Sequence, residues 1–355
     1  MVNSHTSFGK LKEVVVGVEL DFPKRLSDLT FKLFYREAIG EAIYETITDE
    51  YYVNQELINQ RNTELNNLAT LIESKGVVVH RPDTLDKITP FTTPTFKSEV
   101  SSASNVRDVT LIYGNTLIET PTYVRNRYFE NMALYNVYNK VTGGKNWIKA
   151  PNGILTKDTI DMEKWHAKRD WDNIPDNFEM AIDGANFLRI GSDVIVNINS
   201  YNQWKGYEWI KSFYPDTTFH VIHVADNHID GVIIALKPGV FMVNPAYPNI
   251  KDVMPDKFKN WTYIYPADLT HNLDTKGMTN IDIQLASSRG MDGNVLSLDE
   301  NTVVTNELAY GVNDILDKNG FDVVTTALNH GEIFAGGIHC STLDLIRDDE
   351  MISYA

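Results

Sequence analysis

Pairs of short apolar segments recur along the chain, each pair separated by a few residues that favour a turn. Gly114 and Asn115, for example, tolerate the positive φ that a tight hairpin needs. The pattern predicts four β-hairpins. They occupy residues 109–113 with 116–119, 187–190 with 193–198, 231–236 with 240–243, and 294–298 with 302–305.

Each hairpin is followed by apolar residues at helical spacing and then by one more short apolar segment. Helices are predicted over 129–139, 203–213 and 307–318, with a short one from Lys251, and closing strands near Trp147 and over 219–224, 263–265 and 321–325. Before the first hairpin, a strand at 11–18, a helix ending at Gly76 and a strand at 77–80 give a related order. Residues 20–53 carry no assignable pattern, and 151–175 are predicted to form a long loop.

The order hairpin, helix, strand thus recurs about five times. One unit has too small an apolar face to form a core alone, so five units are expected to pack around a common axis. The prediction is an α/β fold in a single domain over residues 1–355. Segments that enter the strands would then meet at the centre, where a catalytic site is expected.

Composition narrows the class of protein. At 355 residues and 43% hydrophobic, the chain can bury a large core. A formal net charge of −16 disfavours nucleic acid as a partner, because such binding needs clustered Lys and Arg, whereas it suits a cationic small molecule. No apolar run approaches the ~20 residues of a membrane span, and no signal-peptide core is found, so no membrane association and a cytoplasmic location are expected.

Cys340 is the only cysteine, which excludes an intrachain disulfide and a Cys-x-x-Cys zinc site. It follows Gly336 and Gly337, which permit positive φ or a close backbone approach, and His339 precedes it directly. A lone cysteine is often a small buried apolar residue, and that interpretation stays open for this segment alone. The glycine pair and the polar neighbours favour the alternative, a reactive thiol.

Three other polar segments stand where a predicted strand begins. They carry Asp108, Asp183, and His228 with Asp230. Each has a local explanation as a turn residue or a solvated side chain. At equivalent places in repeated units, however, they would join Cys340 at one end of the channel and form a site for a planar cation.

These segments resemble the amidinotransferase family, relatives of glycine amidinotransferase within the guanidine-modifying superfamily. Gly-Gly-Ile-His-Cys-Ser-Thr at 336–342 is similar to the family's nucleophile loop, Asn-His-Ile-Asp at 227–230 to its Met-His-Ile-Asp, and Ile-Asp-Gly-Ala-Asn-Phe at 182–187 to its Phe-Asp-Ala-Ala-Asp-Phe. Matches extend from about residue 11 to the C-terminus. The resemblance implies a five-bladed α/β propeller, the pentein fold.

The resemblance also implies roles for single residues. Cys340 would be the nucleophile, His228 the general acid and base, and Asp183 the partner that orients His228, while Asp108 and Asp230 would clamp a guanidinium group. By the same resemblance Arg107, Ser287, Ser288 and His339 join the substrate-binding set. L-Arginine would give its amidino group to Cys340 and leave as L-ornithine, and a primary amine would then accept the group. This chemistry requires no metal or organic cofactor.

Two positions depart from the family pattern and are predicted to select the substrate. Tyr247 stands where glycine amidinotransferases carry an arginine, and Asn227 replaces a methionine. An acceptor larger than glycine, such as lysine or an amino alcohol, is therefore expected.

Two alternatives stay open at this stage. One is an arginine deiminase-like hydrolase, in which water attacks the intermediate, and the other is a propeller that binds a partner without catalysis. The sequence also leaves the acceptor amine and the oligomeric state open, with a homodimer among the options.

Overall fold

The computed structural model describes residues 1–20, 24–25, 28–31, 33, 50–51, 53–85, 89–163, 167–267, 269, 278 and 290–355. Within these ranges the chain is α/β and forms five three-stranded sheets and two two-stranded sheets. No helix in the described ranges is both long and apolar enough to cross a membrane.

The strands and helices are labelled in chain order. The strands are β1 (Lys10–Val16), β2 (Lys24–Arg25), β3 (Glu50–Tyr51), β4 (Val78–His80), β5 (Pro90–Thr92), β6 (Lys97–Glu99), β7 (Thr110–Tyr113), β8 (Thr116–Glu119), β9 (Trp147–Lys149), β10 (Phe187–Ile190), β11 (Asp193–Asn197), β12 (Thr218–Ile222), β13 (Ile233–Lys237), β14 (Val240–Val243), β15 (Thr262–Ile264), β16 (Leu296–Ser297), β17 (Thr302–Asn306), β18 (Asp322–Thr326) and β19 (Thr342–Asp348). The α-helices with described ends are α1 (Gln55–Ser74), α2 (Tyr135–Thr142), α3 (Tyr201–Lys211), α4 (Ile250–Val253) and α5 (Tyr310–Lys318).

All five three-stranded sheets share one topology. The first strand pairs antiparallel with the middle strand, and the middle strand pairs parallel with the third. In the third unit, for example, Ile195 of β11 lies opposite Leu188 of β10 and His220 of β12. The parallel pair needs a crossover, and α3 provides it. The four predicted hairpins and the repeated unit are therefore confirmed.

The first unit is closed by the opposite end of the chain. β19 pairs antiparallel with β1, placing Leu343 opposite Val15, and β1 pairs parallel with β4. The sequence did not predict this strand, because its partner is more than three hundred residues away and no turn joins them. Because β19 is the first strand of this unit, Cys340 lies just before a first strand, as Asp108 lies just before β7.

The helices differ from prediction mainly at their beginnings. The helix expected over 129–139 starts as two 3₁₀ turns, Arg125–Arg127 and Glu130–Leu134, before α2. α3 begins earlier than expected, because the side chain of Ser200 accepts a hydrogen bond from the N–H of Gln203 and caps it. Residues 151–175 form turns and irregular structure where they are described, as predicted.

Buried apolar residues join one unit to another, and a buried ionic cluster joins three of the units. Val14, Leu68 and Val304 share one apolar cluster that links the first unit to the fifth. Asp344 on β19 accepts hydrogen bonds from Arg107, Arg189 and Arg347 at 2.6, 2.6 and 2.9 Å, and all four side chains are buried. Burial would raise the pKa of Asp344, but the three guanidinium groups hold it well below its usual range. This cluster ties three units together directly behind the nucleophile loop.

Candidate active site

The nucleophile loop, residues 331–341, packs closely against Asn105 and Asn294 because two of its residues lack side chains. A Cβ at Gly336 would lie 1.9 Å from Oδ1 of Asn105, and one at Gly337 would lie 2.6 Å from Cβ of Asn294. Of the two roles considered for these glycines, the structure therefore supports close backbone approach. The loop ends in a tight turn, in which the N–H of Ser341 donates to the carbonyl of Gly337 at 3.1 Å.

Cys340 is buried, and its thiol lies beside a carboxylate. Its backbone N–H donates to Oδ1 of Asn294 at 2.8 Å, and its Sγ donates to Oδ2 of Asp230 at 3.5 Å. Burial raises the pKa of the Cys340 thiol well above its usual value, and the Asp230 and Asp108 charges raise it further. The resting residue is therefore a thiol, and a bound cation is needed to favour the thiolate.

Asp230 connects the cysteine to a histidine of the same loop. Nδ1 of His339 lies 2.8 Å from Oδ2 of Asp230. Burial and the nearby Arg107 guanidinium lower the pKa of His339 to about 4, although Asp230 opposes this. Burial would raise the pKa of Asp230, but the hydrogen bond and charge of the His339 ring keep it below its usual range. A neutral His339 must donate from Nδ1 to this carboxylate, which leaves Nε2 as an acceptor.

His228 lies between two carboxylates of neighbouring units. Its Nε2 is 3.0 Å from Oδ2 of Asp183, and its Nδ1 is 3.7 Å from Oδ1 of Asp108. Burial lowers the pKa of His228, but the Asp108 charge and the Asp183 hydrogen bond and charge outweigh it and raise the pKa to about 9. The resting imidazole is therefore protonated at neutral pH and can act as an acid.

Asp108 is held by an arginine that the sequence analysis missed. Nη1 of Arg127 donates to Oδ2 of Asp108 at 2.6 Å, and the rest of its guanidinium pairs with Glu130 at 2.7 and 2.8 Å. Burial raises the pKa of Asp108 and that of Glu130, the latter to about 7, although Arg127 lowers both. The arrangement fixes one oxygen of Asp108 and leaves Oδ1 toward His228.

Asn294 was also missed, although its position could have indicated it. It precedes β16 as Asp108 precedes β7, so it stands at a strand entrance. Its amide bridges the site, because Oδ1 accepts from Cys340 and Nδ2 donates to Oδ2 of Asp230 at 3.2 Å. No local pattern marks Arg127 and Glu130, which lie in 3₁₀ turns.

Arg107, which was predicted to bind substrate, makes its hydrogen bonds to the nucleophile loop and to β19. Its Nε donates to the carbonyl of His339 at 2.8 Å and its Nη2 to Asp344 at 2.6 Å. Its backbone N–H also donates to the carbonyl of Cys340 at 3.3 Å. Arg107 therefore holds the nucleophile loop from behind.

Of the other residues predicted to bind substrate, two are described by the structure and two are not. Asn227 adjoins His228, and its carbonyl accepts from Nδ2 of Asn186 at 2.9 Å. Tyr247 donates from its hydroxyl to Oδ2 of Asp226 at 2.6 Å. Ser287 and Ser288 lie outside the described residues. Within the described ranges, no group of three or more His, Cys, Asp or Glu side chains is arranged to hold a metal ion.

Comparisons with known proteins agree on one kind of enzyme, although no protein-family model matches the chain. It is 28% identical to inosamine-phosphate amidinotransferase 1 of Streptomyces griseus, across 98% of this chain and 97% of that protein. It is 28% identical to the L-arginine:L-lysine amidinotransferase of Pseudomonas savastanoi pv. phaseolicola, across 99% and 96%. The structure of SxtG, an amidinotransferase from Microseira wollei, matches with a TM-score of 0.82 and 27% identity over 100% of this chain and 99% of that one. Over its full length, the chain is therefore similar to amidinotransferases.

This full-length similarity confirms the resemblance to amidinotransferases that the sequence motifs indicated. A dimethylarginine dimethylaminohydrolase structure also matches over 94% of this chain and 99% of that one, with a TM-score of 0.58 and 10% identity. At that identity the likeness shows a shared α/β fold alone.

Proposed function

We propose that the protein transfers the amidino group of L-arginine, through a covalent intermediate on Cys340, to a primary amine and releases L-ornithine. The observation that carries the proposal is a set of buried acceptor atoms without hydrogen-bond partners among the described residues. Three of them are Oδ1 of Asp230, Nε2 of His339 and Oδ1 of Asp108, the last of which has only an ionic contact of 3.7 Å with Nδ1 of His228. A buried acceptor left unpaired costs about 1–3 kcal/mol, and a guanidinium group has five N–H donors in one plane to offer.

The first half of the reaction uses the protonated state of His228. Binding of the guanidinium cation favours release of the Cys340 thiol proton to solvent, and the resulting thiolate attacks the guanidinium carbon. As the bond from that carbon to the arginine Nε breaks, His228 gives its proton to the departing nitrogen, and ornithine leaves. Asp183 orients the imidazole throughout, because its Oδ2 lies 3.0 Å from Nε2.

The second half reverses the proton transfer. The incoming amine attacks the amidino carbon on Cys340, neutral His228 accepts a proton from it, and the carbon–sulfur bond breaks to restore the thiolate. The raised pKa of His228 and that of Cys340 both favour return to the resting forms. The protein's own residues supply every group in this scheme.

We further propose that the five three-stranded units form the blades of one propeller, with residues 1–355 as a single domain. The repeated topology and the apolar clusters shared by neighbouring units support this arrangement. Four of the five units contribute the proposed catalytic and clamping residues, all from segments that precede a first strand.

Product analysis separates this function from the hydrolase alternative. The protein is incubated with arginine, with and without a panel of primary amines, and ornithine, citrulline and ammonia are measured. We expect ornithine in proportion to the amidinated amine. Citrulline and ammonia, formed at the same rate whether or not an amine is present, would contradict the proposal and support hydrolysis.

A further inference from the structure

A carboxylate that the proposed chemistry does not use lies beside His228. Asp226 is partly buried, and its Oδ2 accepts a hydrogen bond of 2.6 Å from the hydroxyl of Tyr247. Its Oδ1 lies 3.4 Å from the backbone N–H of His228. Both oxygens would be 3.8 Å from a Cβ at Gly231, so the carboxylate faces the turn that carries Asp230. Asp226 therefore belongs to the wall of the same site.

Among the described residues, no lysine or arginine forms a salt bridge with Asp226, whereas Asp108 is paired with Arg127. Burial raises the pKa of Asp226, although the Tyr247 hydroxyl, the His228 charge and the backbone N–H groups of His228 and Asn227 lower it. Each carboxylate oxygen can accept two hydrogen bonds, so Asp226 has capacity for a further donor. An ammonium group would supply that donor together with a positive charge.

The proposed reaction indicates which ammonium group this is. Ornithine, the first product, carries an α-ammonium group at a distance from the nitrogen that leaves. The reacting amine of the acceptor must occupy the position that the leaving nitrogen of ornithine held. The rest of each molecule would then extend along the same wall of the site, the one that contains Asp226. Tyr247 orients the carboxylate and contributes no positive charge, so the position next to Asp226 favours an ammonium group over a carboxylate.

Resting on the proposed function, we infer that Asp226 is a specificity-determining residue that binds an ammonium group remote from the reacting nitrogen. The preferred acceptors are therefore amines that carry a second positive charge. Tyr247 is a positioning residue that holds Asp226 toward this group.

The test compares three acceptors that differ only in the remote end: putrescine, n-butylamine and γ-aminobutyrate. With arginine as donor, we expect kcat/KM to fall in that order, with putrescine about 10- to 100-fold above n-butylamine, as for one charge-assisted hydrogen bond. Asp226→Asn should remove most of this difference and Tyr247→Phe part of it. Asp252→Asn, an exposed aspartate on α4, carries the same change in charge and should leave the preference intact.

Calorimetric binding of the three amines to the protein without a donor distinguishes failure of this inference from failure of the proposed function. Putrescine binding that Asp226→Asn weakens supports the inference even if no amidino transfer is found. Equal use or equal binding of the three amines by the wild type would overturn it. A putrescine preference unchanged in Asp226→Asn would overturn it as well.

Discussion

At the scale of single residues, the two histidines of the site are held in opposite protonation states by their surroundings. His228 lies between Asp183 and Asp108, whose charges overcome the effect of burial on its pKa. His339 is more deeply buried, Arg107 adds to the effect of burial on its pKa, and the Asp230 and Asp344 carboxylates do not compensate. One ring can therefore give a proton while the other accepts a hydrogen bond.

Titration of the imidazole resonances by NMR tests this difference. We expect the pKa of His228 near 9 and that of His339 near 4, assigned by their loss in His228→Gln and His339→Gln. Because the pKa of His228 is raised from an ordinary 6.5, its protonation stabilises the fold fully below pH 6.5, and this contribution is lost as pH rises through about 9. Two rings that both titrate close to 6.5 would show that the carboxylates do not act as described.

The sequence predicted those site residues that stand in a recognisable local pattern. Cys340, His228, Asp183, Asp108 and Asp230 all precede a predicted strand or follow paired glycines, and the structure brings them together. It did not predict the hydrogen bond between Arg107 and Asp344, because the position of Arg107 next to Asp108 in sequence does not indicate this partner. Side-chain direction at such positions depends on contacts between distant units.

At the scale of elements, helix α1 supports the nucleophile loop. Arg61 lies on the buried face of α1 and is fully buried. Its Nη2 donates to the carbonyl of Gly336 at 2.9 Å and to Oγ of Ser341 at 2.7 Å, so it bridges the two ends of the turn that carries Cys340. Apolar periodicity predicted the helix but not this contact, since a charged residue on a buried face falls outside the pattern.

We expect Arg61→Met to destabilise the fold by about 1–3 kcal/mol, because it leaves two buried acceptors unpaired. It should also lower kcat more than it changes KM, since it loosens the thiol without touching the carboxylate clamps. Urea unfolding and steady-state kinetics measure the two effects.

Arg81→Met is the matched control for Arg61→Met. Arg81 donates to the carbonyl of Leu65 on the same helix at 3.0 Å, and among the described residues it forms no hydrogen bond with the nucleophile loop. It should lose stability without a selective loss of kcat. An equal fall in kcat in both variants, or none in Arg61→Met, would contradict the positioning role.

At the scale of the whole molecule, the nucleophile depends on contacts between the two ends of the chain. β19 begins two residues after Cys340 and pairs with β1, and Asp344 on β19 binds arginines from two other units. Local patterns predicted each unit but not this closure, because they carry no information about pairing across the full length of the chain. The same closure explains why a site assembled from four units can be held rigidly around one thiol.

Cys340 is proposed to carry the amidino group of arginine, and intact-protein mass spectrometry can detect this covalent adduct. With arginine alone, the wild type should gain the mass of one amidino group on Cys340, and a primary amine added afterwards should remove it. Cys340→Ser should keep its fold and show no adduct, because an alcohol there has no comparably acidic proton. A wild-type protein that releases ornithine without ever carrying the adduct, or a Cys340→Ser variant with full activity, would contradict the account.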